Sequence, residues 1–171
     1  MKFRNMKIIG VLLVVLINLF GAQPAKAMNP LEEAYTANFE KYVNAIALED
    51  KKYRKLVSSP AFQSSPTSAK YKAAAKNIIR SLDKSTVTTR KLEALTTPES
   101  FASIEPFLKG WAKYSLEFDA LLKKSLAPKG KWTDAISEEL NDLNIIRNKY
   151  WEEVKIEYNQ ALAELQTPST N

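Results

Sequence analysis

Four stretches of this chain place an apolar side chain at every third or fourth residue, and prolines separate one stretch from the next. The first stripe runs Tyr35, Phe39, Tyr42, Ile46, Glu49, Tyr53, Leu56; the second runs Tyr71, Ala75, Ile78, Leu82, Ser85, Thr89, Leu92. The third runs Phe101, Ile104, Leu108, Trp111, Ser115, Phe118, Leu122, and the fourth Ile136, Leu140, Leu143, Arg147, Tyr150, Val154, Tyr158, Ala161, Leu165. Such spacing collects apolar groups on one side of a helix. The breakers are Pro30, the polar loop Ser58 to Thr67, Thr97-Pro98, the run Ala127 to Lys131, and Pro168. Only Gly110 and Gly130 lie beyond residue 27, too few for the tight turns of a sheet. The expectation is an all-α chain with helices over about 30–57, 68–96, 98–126 and 132–166. Similar lengths and short connections predict an antiparallel up-down-up-down four-helix bundle. Pro106 predicts a kink in the third segment, or a separate short turn ahead of it.

The N-terminus carries a different signal. Lys2, Arg4 and Lys7 precede an apolar run from Ile8 to Phe20, followed by Gly21, Pro24 and the triplet Ala25-Lys26-Ala27. This is the layout of a cleaved secretory signal peptide, with cutting expected between Ala27 and Met28. The apolar run, about 13 residues, is short of the ~20 a spanning helix needs, and no second run follows. The expected domains are a signal peptide over 1–27 and one helical-bundle domain over 28–171, with no transmembrane segment in the mature chain. The expected location is the periplasm, the extracellular space or an equivalent lumen, in a bacterium.

Cleavage would also change the charge. Of 25 basic residues, Lys2, Arg4, Lys7 and Lys26 precede the cut and no acidic residue does, so 25 less 4 basic residues face 19 acidic ones. The mature chain is nearly neutral, and nucleic acid is not an expected partner. There is no cysteine and no histidine. A disulfide framework, a lipoprotein anchor on Cys, thiolate chemistry and the Ser-His-Asp triad are excluded. Haem, di-iron and ordinary zinc sites lean on the same residues, so no cofactor and no metal site is expected. No catalytic set emerges, and the chain reads as a protein other than an enzyme.

Three adjacent carboxylate pairs, Glu32-Glu33, Glu138-Glu139 and Glu152-Glu153, point about 100° apart on a helix and read as solvated faces. Glu49, Asn77 and Ser115 fall at similar depth and form a candidate polar layer in the core, in which desolvation would raise the pKa of Glu49. Tyr150 and Trp151 are adjacent, so one of them is expected outside the core or at a seam between helices.

Charge is uneven along the mature chain. The second segment carries Lys70, Lys72, Lys76, Arg80, Lys84, Arg90 and Lys91 against Asp83 and Glu93. The fourth carries Asp134, Glu138, Glu139, Asp142, Glu152, Glu153, Glu157 and Glu164 against Arg147, Lys149 and Lys155. In the expected topology these two segments lie diagonally across the bundle. One end also gathers Lys51, Lys52, Arg54, Lys55, Lys70, Lys72, Lys123, Lys124, Lys129, Lys131 and Trp132, a candidate basic pole. Lysines at helix C-termini complement the dipole; those at the start of the second helix oppose it.

The run Val154-Lys155-Ile156-Glu157-Tyr158-Asn159-Gln160-Ala161-Leu162-Ala163-Glu164-Leu165 resembles the last helix of PsbQ-type proteins, lumenal four-helix bundles attached to photosystem II. That resemblance covers about a dozen residues and implies, as a minor reading, a lumenal photosystem II subunit. The main expectation is an exported interaction protein that binds a protein partner through its charged faces. The alternative is a binder of anionic lipid, lipopolysaccharide or polyanionic glycan through the basic pole.

Overall fold

In the computed structural model, residues 28–128, 130 and 132–166 are described. The expected signal peptide, Lys129, Lys131 and Pro168 lie outside them. The described residues are all-helical, with four α-helices and no strand. They are α1 (Pro30–Val57), α2 (Ala69–Glu93), α3 (Glu105–Leu126) and α4 (Asp134–Gln166), with a 3-10 helix over Glu99–Ile104 ahead of α3.

Each start has a local cause. Asn29 caps α1: its Oδ1 accepts from the backbone N–H of Leu31 at 3.0 Å and of Glu32 at 3.1 Å, and Glu32 Oε2 accepts from the Asn29 N–H at 2.9 Å. This reciprocal box satisfies backbone donors that a helix start leaves over, and Pro30 occupies the first turn, where its missing N–H is not needed. Ser68 Oγ accepts from Tyr71 N–H at 3.1 Å to start α2. Thr133 does the same for α4, with Oγ1 accepting from Ile136 N–H at 3.2 Å.

The third segment departs from a single helix over 98–126. Pro98 is itself extended, and its carbonyl accepts from Phe101 N–H at 2.9 Å to open the 3-10 helix. Helix α2 ends at Glu93 rather than 96, with Ala94 as its C-cap, whose N–H donates to the Arg90 carbonyl. Pro106 then sits in the first turn of α3, so the short element precedes the proline and α3 begins with it.

The core falls into two apolar halves along the length of the helices. The first holds Tyr35, Phe39, Val43, Ile46, Leu92, Phe101, Ile104, Leu108, Trp111, Trp151, Val154 and Tyr158. Phe39 stacks on Tyr158 with ring centroids 4.4 Å apart, and Trp111 meets Trp151 at 5.0 Å. The second half holds Val57, Phe62, Ala74, Ala75, Ile78, Leu82, Phe118, Leu122, Leu126 and Leu140. Side chains such as Phe101 and Ile78, both fully buried, contribute roughly 1.5–3 kcal/mol each. Trp151 is in the core, while Tyr150 is half-buried at the α3–α4 seam, stacked on Tyr114 at 5.6 Å and packed over Gly110.

Candidate functional site

Between the two apolar halves lies a polar layer. Residues from all four helices line a cavity of about 40 Å³ there: Glu49, Asp50, Tyr53 and Arg54 from α1, Ser81, Ser85 and Thr89 from α2, Ser115 and Asp119 from α3, Arg147 and Asn148 from α4. The volume accommodates about three water-sized groups. It is far below the ~300 Å³ at which drug-sized ligand sites begin.

The sequence reading and the structure part at two points in this layer. Glu49 and Ser115 line the same cavity, but Asn77 is exposed and takes no part. Asn77 stands next to Ile78, and a step of one residue turns a side chain about 100° away from the core. Ser81, one turn on, takes that place: its Oγ donates to Glu49 Oε2 at 2.8 Å. The pKa of Glu49 is not raised. Burial pushes it up, but hydrogen bonds from Lys52 and Ser81, with the charges of Lys52 and Lys84, outweigh that and hold it below the usual glutamate value.

The perturbed carboxyl is instead Asp119, only 4 % exposed. Burial pushes its pKa up to about 6, although Arg147, a 3.0 Å hydrogen bond from Thr86 Oγ1, and Lys123 each favour the charged form; Asp50 adds to the rise. Arg147 faces it. Burial lowers the pKa of this guanidinium, and Asp119 and Asp50 oppose that fall. Arg147 Nε donates to Asn144 Oδ1 at 3.0 Å, and the guanidinium lies over the Phe118 ring, 4.1 Å from its centroid. The remaining carboxylates are tied locally, Asp50 to Arg54 at 2.6 Å and Glu49 to Lys52 at 2.7 Å. Two buried hydroxyls of the lining, Thr89 Oγ1 and Ser115 Oγ, have no hydrogen-bond partner among the described residues. Asp119 stands one turn from Ser115 on the same stripe, a signal the periodicity already contained.

Of the carboxylate pairs, Glu33, Glu138, Glu139, Glu152 and Glu153 are exposed. Glu32 is the exception to the solvated reading. It is buried, closes the capping box, and its Oε1 accepts from Ser100 Oγ at 2.9 Å, which ties the start of α1 to the 3-10 helix. The spacing Asn29-x-x-Glu32 carried that information. Among the described residues no three acidic, histidine or cysteine side chains gather as a metal site.

Outside, the charges sort differently from the sequence reading. At the expected basic pole, Lys52 pairs with Glu49, Arg54 with Asp50, and Lys123 with Asp83 at 3.1 Å. Lys51, Lys55, Lys70, Lys72 and Lys124 are exposed and outside any ion pair among the described residues. Trp132 is half-buried, with its indole N–H donating to Ser137 Oγ at 2.8 Å, and Phe62 is buried against Tyr71. The pole therefore offers no exposed aromatic anchor among these residues.

The more continuous feature is the outer face of α2. Lys70, Lys72, Lys76, Arg80, Lys84, Arg90 and Lys91 are all exposed, and none forms an ion pair among the described residues. Lys72, Lys76, Arg80 and Lys84 step by four. At ~1.5 Å per residue the seven cations cover about 30 Å. On α4, Asp134, Glu138, Glu139, Asp142, Glu152, Glu153 and Glu164 are exposed, beside Ile145 and Ile156. Among the described residues no helix is long and apolar enough to cross a membrane. No family model, curated protein or solved structure matches the chain.

Proposed function

We propose that this is an exported, non-enzymatic interaction module: an up-down-up-down four-helix bundle that docks an acidic protein surface on the outer face of α2. The antiparallel topology is supported by the cross-helix pairs. Trp111 meets Trp151 while Phe118 meets Arg147, and Thr86 bonds Asp119 while Asp83 pairs with Lys123. Export rests on the N-terminal sequence, and the mature chain is expected to begin at Met28.

One observation carries the functional reading: seven exposed cations on one side of α2, none of them in an ion pair among the described residues. Lysines set for helix stability alone would be accompanied by acids at i±4, as Arg54 is by Asp50. A continuous stripe of cations outside ion pairs raises the local potential, steers an anionic partner and sets its register. The test is crosslinking of the full chain in its native envelope, beside a Lys76→Glu, Arg80→Glu, Lys84→Glu variant. Loss of a crosslinked protein partner in the variant, and in the wild type at high salt, supports the reading. The same adducts with both chains overturn it.

A second reading, binding of an anionic lipid or glycan surface at the pole, is favoured by the five unpaired lysines there. It predicts salt-sensitive binding to vesicles containing anionic lipid that survives the α2 substitutions and is lost when Lys51, Lys55 and Lys124 are neutralised. The PsbQ-like reading rests on residues 154–165 alone.

A further inference from the structure

We propose that the cavity between the two core halves is a binding site for one small monovalent anion, of the size of chloride or formate, carried by Arg147 with Ser115 and Thr89 as neutral donors. The lining holds several donors without a protein acceptor among the described residues. Arg147 spends only Nε on a protein acceptor, and neither Nη makes a hydrogen bond to the protein among the described residues. Ser115 is 5 % and Thr89 1 % exposed, and both hydroxyls are without a partner among the described residues. Buried donors of this kind normally find an acceptor from the protein, a water or a ligand. An anion supplies several acceptor directions at once, and charge-assisted bonds to a guanidinium are the strong ones. A cation entering here would sit against Arg147. The volume of about 40 Å³ admits a group of one to three heavy atoms and excludes a metabolite.

The carboxylates set the condition for binding. On α1, Asp50 is held by Arg54 and Glu49 by Lys52 and Ser81, while the Tyr53 hydroxyl stays neutral, its pKa pushed up to about 12 by burial. On α2, Lys84 acts on Glu49, and Asp83 is paired with Lys123 of α3. Arg147 of α4 is then faced most closely by Asp119 of α3, with Asp50 acting on it as a second, Arg54-paired carboxylate. While Asp119 is ionised it competes with any incoming anion for the guanidinium. Once protonated, it no longer draws on the guanidinium, so anion uptake and proton uptake go together.

The experiment follows the chlorine NMR linewidth of sodium chloride with the full chain, at constant ionic strength held by sodium sulfate and with sodium formate as competitor. At pH 5 we expect excess broadening that formate displaces, with an affinity at least tenfold lower at pH 7.5. Arg147→Gln should abolish the displaceable part, and Asp119→Asn should bind at pH 7.5 as well as at pH 5. Broadening that formate leaves unchanged, or that survives Arg147→Gln, overturns the proposal and leaves a cavity for water only. If Arg147→Gln does not fold, Asp119→Asn decides: affinity that still falls tenfold between the two pH values refutes the coupling to Asp119.

Discussion

The packing of Gly110 against Tyr150 yields a prediction whose sign depends on a single contact. In an exposed helix, Gly→Ala stabilises by roughly 1 kcal/mol, because alanine loses less backbone entropy on folding. At position 110 an added Cβ would stand 2.5 Å from Cδ1 and 2.8 Å from Cζ of Tyr150, and closer still to Cε1. Carbon atoms do not approach that closely, so the ring must leave. It is stacked on Tyr114, and such a pair is worth about 0.5–1.5 kcal/mol beyond its buried area. Overpacking adds about 1–3 kcal/mol. Gly110→Ala is therefore expected to destabilise the fold by about 1–3 kcal/mol after the propensity gain. In a Tyr150→Ala background the obstacle is gone, and the same substitution should stabilise by about 0.5–1 kcal/mol. Urea denaturation followed by far-ultraviolet circular dichroism of the four chains closes the cycle. Equal effects of Gly110→Ala in both backgrounds, within the ~0.5 kcal/mol expected of independent sites, would refute the reasoning and make Gly110 an ordinary helix residue.

Two further predictions concern charge and capping. The pKa of Asp119 rises on folding from an ordinary 3.8 to about 6, so the folded state binds the extra proton between these values. Its contribution is fully present below pH 4 and lost as pH rises through 6, amounting at most to about 3 kcal/mol. Asp119→Asn should flatten that part of the profile of urea midpoint against pH; an unchanged slope between pH 4 and 6 would count against the assignment. Asn29→Ala removes the acceptor for two backbone donors and should cost about 1 kcal/mol. Thermal unfolding should show that loss, and Asn29→Asp should restore most of it. A midpoint equal to that of the wild type in the alanine variant would show that the capping box contributes nothing measurable.

The helical class and the approximate extent of each segment were legible in the sequence, because both rest on information a few residues wide. Apolar spacing at three and four, prolines at the breaks and caps such as Asn29 act locally, whatever the rest of the chain does. Even the third stripe, Phe101 to Leu122, is buried throughout, although a proline cuts its segment in two. Tertiary structure decided which charges meet across helices. Glu49 is held down first by Lys52, three residues on in the same helix, and then by Ser81 and Lys84, which only packing against α2 brings near. The spacing from Ser115 places Asp119 near the core, but the sequence does not set its charge. Asp119 becomes the most perturbed carboxyl only because α1, α2 and α4 close over it and bring Arg147 opposite. Outside, the cations of α2 and the α1 pairs Lys52–Glu49 and Arg54–Asp50 follow from sequence spacing, but that Asp83 of α2 reaches Lys123 of α3, while the cations of α2 stay outside any ion pair among the described residues, is a matter of distance in space. Hydrophobic periodicity is a one-dimensional property of a helix. Desolvation and ion pairing vary with separations of a few ångströms between residues far apart in the chain, and only the packed fold sets those.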